Sequence, residues 1–160
     1  MAATNSNAGP LENRRFWSRH ANPWSVWTLV LTYPVLILAV YRRDRLLAAG
    51  ALGFVIANPL VFSPPRDDEA WATRVVLGER VWIERGLLAS RETLFTAICV
   101  PIYLYTIRAA VERQPVRTAV GTGVSLLVMV VFFGQMVRLY EEHTDLQDDV
   151  GDVFHRASDD

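Results

Sequence analysis

Four long stretches of the chain contain no Asp, Glu, Lys or Arg, at residues 20–41, 46–65, 93–107 and 118–137. A soluble amphipathic helix places polar residues every three or four positions, and these stretches do not. A helix of about 20 apolar residues crosses the hydrocarbon core of a bilayer. The pattern therefore predicts an all-α integral membrane protein.

The charged blocks between the stretches divide the chain into elements. We predict an integral membrane four-helix bundle with spans at about residues 24–41, 46–62, 91–110 and 116–140. Between spans two and three, residues 69–85 mix Trp and Val with Arg and Glu, which predicts an amphipathic helix at the membrane interface.

The two ends of the chain differ in character from its middle. Residues 1–13 are small and polar, which predicts a disordered N-terminal tail. Residues 14–140 form the predicted four-span membrane domain, and residues 141–160 form an acidic C-terminal tail. The spacing of apolar residues in that tail permits an amphipathic helix. A frayed, solvated tail fits the sequence equally well.

Local residues mark where the predicted helices begin and end. Asn22 is a favourable N-cap and Pro23 is favoured at the first helical position. The link at residues 42–45 is so short that spans one and two must form an antiparallel hairpin. Asn58-Pro59 is expected to help end span two. In span four, Ala119 with Gly123 and Gly121 with Ser125 form two small-residue pairs of the kind that packs helices in membranes.

Four spans would place both termini on one side of the membrane, together with the connection between spans two and three. We call this side face A, comprising residues 1–23, 63–92 and 141–160. All five Trp and all three His lie on it or at its border. Arg near the span ends favours face A inside the cell, whereas the dense Arg of the two short opposite loops favours the reverse and places the termini outside.

Composition removes several function classes. All sixteen basic residues are Arg, so no Lys is present to form a Schiff base or to bind phosphate in a P-loop. The single Cys99 rules out an intramolecular disulfide or a CxxC pair. A net charge of −1 gives no case for nucleic-acid binding. The absence of Lys and the acidic tail are typical of halophilic microbes.

Polar and aromatic residues on face A or at its border form a candidate site for a small ligand or a lipid headgroup. Its members are His20, Asn22, Trp24, Trp27, Asn58, Trp71, Arg74, Glu79, Trp82 and His143. The competing interpretation is that these are helix caps, solvated ions and interfacial Trp anchors. No HxxxH or HxxE spacing supports a metal or haem, so we predict no catalytic residues, no metal and no cofactor.

Three functions fit these observations. The first is a small membrane scaffold that binds a membrane protein partner or a second copy of itself through face A, in the lipid bilayer of the cell membrane. The alternative is a membrane-embedded enzyme or ligand-binding protein with a site on face A. The third is a minimal passive pore past Gln135, for which the repeated Ala-Asn-Pro at 21–23 and 57–59 is the motivation.

A set of motifs resembles a known family. They are RHANPWSVWT at residues 19–28, NP at 58–59 and FSPP at 62–65, followed by Trp71, Arg74, Gly78-Glu79 and Trp82. The resemblance covers about residues 14–140 and is to a family of small multi-span membrane proteins with a domain of unknown function, common in halophilic microbes. It implies a multi-span membrane protein and carries no catalytic role.

Overall fold

The computed structural model describes residues 14–86 and 90–158, with side chains described for 17–86 and 90–146. These residues form α-helices and no strand, which confirms the all-α prediction. The helices are α1 (Arg14–His20), α2 (Pro23–Arg42), α3 (Arg45–Val61), α4 (Trp71–Arg85), α5 (Arg91–Val111) and α6 (Pro115–Ser158). The predicted disordered tail at 1–13 lies outside the described residues.

Side-chain caps explain the α2–α3 hairpin. The Asn22 side chain accepts a hydrogen bond of 2.9 Å from the backbone N–H of Trp24, as predicted for an N-cap. Arg43 ends α2 in the left-handed region with φ 58°, and Asp44 caps α3 by accepting from the N–H of Leu47 at 2.9 Å. Two helices joined by so tight a turn pack against each other in opposite directions.

The second Asn-Pro does not end its helix as expected. Pro59 lies inside α3, which continues to Val61. A proline this close to the helix end removes only one backbone hydrogen bond, so the last turn persists. Asn58 and Pro59 are both buried, and the Asn58 side chain donates to the Thr28 hydroxyl near the start of α2.

The helices α4, α5 and α6 form the other half of the fold. In α6, Gly121 allows close contact, since a Cβ there would come within 2.6 Å of the Thr106 hydroxyl of α5. The buried hydroxyls of Thr106 and Ser125 lie 3.2 Å apart. The predicted pair of Gly121 and Ser125 therefore does face a neighbouring helix. In the other predicted pair, Ala119 with Gly123, a Cβ added at Gly123 would meet nothing within 4 Å.

Helix α4 runs across α6 rather than along it. Trp71 and Trp82 lie at opposite ends of α4, about 16 Å apart along its axis, yet they contact the adjacent residues Phe133 and Phe132 of α6. At the crossing point, a Cβ on Gly78 would overlap the carbonyl oxygen of Met136. A glycine at this position therefore lets the two backbones meet.

Helix α6 passes the predicted end of the membrane domain without a break. It continues from Pro115 to Ser158, so the described part of the acidic segment extends the same helix. The side chains beyond residue 146 are not among those described.

Three described helices are long and apolar enough to cross a membrane: Pro23–Arg42, Arg91–Val111 and Pro115–Leu146, with mean hydropathies of 1.7, 1.7 and 2.0. The predicted second span, Arg45–Val61, is a shorter apolar helix. Large apolar side chains cover the outside of these helices, for instance Ile56 at 77% exposed and Leu127 at 68%. Such a surface suits hydrocarbon rather than water as the surrounding medium, which indicates a membrane protein.

Candidate functional site

A partly enclosed cavity of about 460 Å³ lies between α1, α2, α4, α5 and α6. Its wall is mostly apolar, with a small number of polar groups. The lining residues are His20, Val26, Leu29, Val30, Val75, Val76, Glu79, Trp82, Phe95, Thr96, Cys99, Tyr103, Val128, Met129, Phe132 and Phe133. A volume in the range of about 300–1,000 Å³ with few polar groups is typical of a small-ligand site.

The face that α4 turns toward the cavity follows helical spacing. Val75, Val76, Glu79 and Trp82 all line it. Glu79 follows Val75 by four residues and Val76 by three, and Trp82 follows Glu79 by three, so all four share one side of the helix. A carboxylate thus occupies a position that the periodicity assigns to an apolar side chain. The close approach of Gly78 to Met136 holds this face against α6.

Glu79 has no partner among the described side chains. It forms no hydrogen bond or ion pair with them, although Arg80 on the same helix pairs with Glu84 at 2.8 Å. Burial raises the pKa of Glu79 to about 7. At neutral pH the carboxyl is therefore divided between its two protonation states, and its protonated form can donate a hydrogen bond into the cavity.

His20 reaches the cavity from the C-terminal end of α1. Its Nδ1 lies 3.5 Å from the Ser25 hydroxyl, and its ring centroid lies 6.4 Å from that of Trp17. Burial lowers the pKa of His20. The imidazole is therefore neutral at physiological pH, with one donor and one acceptor nitrogen.

Most other polar groups on the wall are engaged within the fold. The Trp82 indole N–H donates to the Ser90 hydroxyl at 2.7 Å, so the ring is held in place from outside the cavity. The Thr96 hydroxyl donates to the Glu92 carbonyl at 2.9 Å, and the Tyr103 hydroxyl donates to the Ser125 carbonyl at 3.4 Å. Among the described nitrogen and oxygen groups of the wall, Glu79 is thus the one for which the structure shows no partner.

Polar and apolar residues are separated along the cavity. On α5 the lining runs from Phe95 and Thr96, near the helix start, through Cys99 to Tyr103 near the middle of the span. Trp82 contacts Phe132 on α6, whereas Tyr103 bonds to Ser125, two turns further from α4. Glu79 therefore lies toward one end, and the opposite end is lined by Val128, Met129 and the ring of Tyr103.

Two of the predicted site residues lie elsewhere. His143 is on α6 and its Nδ1 lies 3.1 Å from the Arg85 guanidinium. Arg74 binds Glu141 at 3.2 Å and the Asp68 carbonyl at 3.0 Å. Neither residue lines the cavity, because each faces the part of α6 beyond the α4 crossing.

Asn22 and Asn58 act within the α2–α3 hairpin. The Asn22 amide donates to the Ser63 carbonyl at 2.8 Å, in addition to capping α2. The fully buried Asn58 accepts a short hydrogen bond from the Ser25 hydroxyl and donates to the Thr28 hydroxyl at 2.9 Å. Both amides therefore hold the end of α3 against the start of α2.

The three remaining predicted residues are Trp side chains with different surroundings. Trp27 stacks on Trp71, with ring centroids 5.8 Å apart. Trp24 is 69% exposed and does not line the cavity. The structure thus brings together His20, Glu79 and Trp82 of the predicted set, and distributes the other residues over the surrounding helix contacts.

The α5 and α6 walls were absent from the sequence-based site. Phe95, Cys99, Tyr103, Met129 and Phe132 are ordinary membrane-span residues, and nothing in their spacing distinguishes a cavity wall from a helix contact. A usable signal does exist for Glu79, because it interrupts the apolar stripe of α4.

No group of three or more His, Cys, Asp or Glu side chains is arranged to hold a metal ion within the portion of the chain that the structure covers. His20 and Glu79 supply the imidazole and carboxylate that line the cavity.

Comparison with known proteins identifies the family. A family model described as "Family of unknown function (DUF6653)" matches residues 5–151. The chain belongs to this family. The match confirms the predicted membership of a family of unknown function, and it contains every residue of the cavity wall. No curated protein and no solved structure matches the chain.

Proposed function

We propose that this member of the family is an integral membrane protein that binds an uncharged single-chain amphiphile, with the polar head at Glu79 and the chain along the apolar wall. One observation carries the proposal: a carboxyl without a protein partner faces a cavity whose other surfaces are nearly all apolar. A half-buried carboxyl without a partner lowers stability. A ligand that supplies the missing hydrogen bond offsets that loss.

The nature of the head follows from the same carboxyl. Burial disfavours the ionised form of Glu79, and it also disfavours a second charge brought in by a ligand. A carboxylate head would in addition be repelled by the ionised fraction of Glu79. A hydroxyl or carbonyl head avoids both penalties and can bond to Glu79.

Among the three functions predicted from the sequence, this proposal develops ligand binding on face A. The cavity supports it over the scaffold, which needs no internal space. Gln135 lies in a separate cleft rather than on the cavity wall, so the cavity gives the pore no support.

The proposal includes the predicted four-span arrangement in the cell membrane, with α3 as the second span and α4 at the interface on face A. The hydrogen bond from Asn22 to the Ser63 carbonyl supports α3 running antiparallel to α2. The transverse crossing of α4 over α6 supports an α4 that lies parallel to the membrane surface. The Lys-free composition further supports a salt-adapted microbial source.

Cysteines introduced at the exposed positions Ser18 and Asp145, in a Cys99→Ser background, test this topology. Four spans predict that an impermeant thiol reagent labels both cysteines from the same side of sealed vesicles. Labelling from opposite sides would mean that α3 does not cross, and it would overturn the four-span arrangement without bearing on the cavity.

A brominated undecanol added to the purified protein in detergent tests the cavity, because bromine quenches Trp fluorescence on contact and Trp82 lies on the wall. We expect saturable quenching that is weakened about tenfold by Val128→Phe, which fills the apolar end, an effect of about 1.4 kcal/mol. The matched control is Val124→Phe, one turn away on α6 and 40% exposed.

Equal quenching in both variants would show that the alcohol binds the outer surface and would overturn the proposal.

The Glu79→Ala variant tests the head: binding of the alcohol should weaken, while binding of an alkane of the same length should not. The corresponding brominated undecanoic acid should bind more weakly than the alcohol at pH 8, because both carboxyl groups are then ionised to a large extent.

A further inference from the structure

A second cleft lies on the outer side of α5 and α6 and adjoins the cavity at Phe95. It has a volume of about 470 Å³. Arg91 at the start of α5 and Arg138 on α6 both line it, together with Leu94, Ile98 and Gln135. Glu79 does not line this cleft, and neither Arg91 nor Arg138 lines the cavity, so the two sites have different polar groups.

The cleft is built from one stripe on each helix. On α5, Arg91, Leu94 and Ile98 recur every three or four residues and so share a face. Leu94 and Ile98 are 63% and 65% exposed and follow Arg91 toward the interior of the span. The cleft is thus charged where α5 begins and apolar further along the helix.

The structure shows no partner for the two guanidiniums among the residues that it describes. Arg74, Arg80 and Arg108 each form an ion pair with a Glu. Arg91 and Arg138 form no ion pair and no side-chain hydrogen bond with the described residues, although Glu92 and Glu142 line the same cleft. Their planar forks of N–H donors are therefore available, and a phosphate oxygen pair is the group that such forks bind best.

We infer that this cleft binds the phosphodiester headgroup of a membrane lipid, with the phosphate between Arg91 and Arg138 and an acyl chain along Leu94 and Ile98. The apolar half of the cleft favours a lipid over a free anion. The carboxylates of Glu92 and Glu142 also favour a lipid, because they repel a doubly charged phosphate more strongly than a singly charged diester.

The test uses the full-length protein, delipidated in detergent, and native mass spectrometry with three probes. These are dioleoyl phosphatidylglycerol, dioleoyl glycerol, which lacks the phosphate, and inorganic phosphate. We expect saturable binding of the phosphatidylglycerol that is weakened tenfold or more when Arg91→Gln and Arg138→Gln are combined, since two charge-assisted contacts are lost. Far-ultraviolet circular dichroism confirms that the variant remains folded.

A matched variant separates the site from net charge. Arg42→Gln with Arg117→Gln removes the same charge at the opposite ends of the helices and should leave binding of phosphatidylglycerol unchanged. Equal loss in both double variants, or no loss in either, would overturn the inference. Equal binding of dioleoyl glycerol would show an acyl-chain groove only, and tight binding of inorganic phosphate would show a free-anion site instead.

Discussion

Asn58 on α3 and Glu79 on α4 are both polar residues on the inner faces of their helices, but their surroundings differ. The Asn58 amide is fully buried and bonds to the Ser25 and Thr28 hydroxyls of α2. The Glu79 carboxyl has no partner in the described structure and faces a cavity. A buried polar group with every contact satisfied holds two helices in register, whereas one without contacts lowers stability.

This contrast separates structural from functional polar residues better than residue type does. The amide and the carboxyl were both candidates for one site on face A. The hydrogen bonds of Asn58 to α2 show that it stabilises the hairpin, whereas the Glu79 carboxyl can still form hydrogen bonds with a ligand. A polar group that lowers stability and faces an apolar cavity is a candidate for binding a ligand. A ligand that bonds to it offsets the free energy lost when the group is buried without a partner.

The largest effect should come from the crossing that presents Glu79 to the cavity. In Gly78→Ala the new Cβ would overlap the Met136 backbone, which cannot move as a side-chain end can. We expect the free energy of unfolding to fall by about 3 kcal/mol, as for severe overpacking, and binding at the cavity to be lost. Denaturant titration of the detergent-solubilised protein measures the first quantity.

The control for this change is Gly53→Ala on α3, where an added Cβ meets nothing within 4 Å. Alanine there should be neutral or stabilising by up to about 1 kcal/mol, because glycine is a poor helix former. A similar loss at both positions would mean that α4 does not depend on a close approach to α6.

The second effect concerns the paired residue. Asn58→Ala leaves the Ser25 hydroxyl without its buried acceptor and opens space between α2 and α3. We expect a loss of about 2 kcal/mol in the free energy of unfolding. Ile56→Ala on the same helix, where Ile56 is 77% exposed, should cost less than about 0.5 kcal/mol. If both changes cost the same, the Asn58 contacts do not hold the hairpin.

Much of the helical framework could be predicted from the sequence, because its causes are local. Asn22 with Pro23 specifies the start of α2. The short link at residues 42–45 requires α2 and α3 to pack antiparallel. Long apolar runs indicate membrane helices because charge is too costly in hydrocarbon. These patterns also led to a second span at α3, which is shorter than the other three apolar helices.

The candidate site could be predicted only in part. His20, Glu79 and Trp82 are unusual enough on face A to be noticed, and they do share a cavity. Arg74 and His143 are equally unusual, yet the crossing of α4 turns them toward Glu141 and Arg85. That crossing depends on the contact of Gly78 with Met136, which are far apart in the chain, and helical periodicity alone does not reveal such a contact.

The smallest effect is the pH dependence that Glu79 confers. Its pKa is raised from 4.5 to about 7 on folding, so the folded state holds its proton more tightly than the unfolded state. Stability is therefore unaffected by this group below pH 4.5, falls as the pH rises toward 7, and stays at the lower value above that. Complete exclusion of water would make the loss about 3 kcal/mol, and water reaching this half-buried carboxyl reduces it to about 1 kcal/mol.

The Glu79→Gln variant isolates this contribution, because glutamine cannot ionise. The titratable groups that share the cavity are His20 from α1, and Cys99 and Tyr103 from α5. His20 acts in the opposite direction, since burial lowers its pKa and stability falls as the unfolded state protonates below pH 6.5. All three groups are present in both proteins, so the difference in unfolding free energy between wild type and variant should change by about 1 kcal/mol from pH 5 to pH 8. A difference that stays constant over that interval would mean that Glu79 is paired or fully solvated in the folded protein, and its contrast with Asn58 would then disappear.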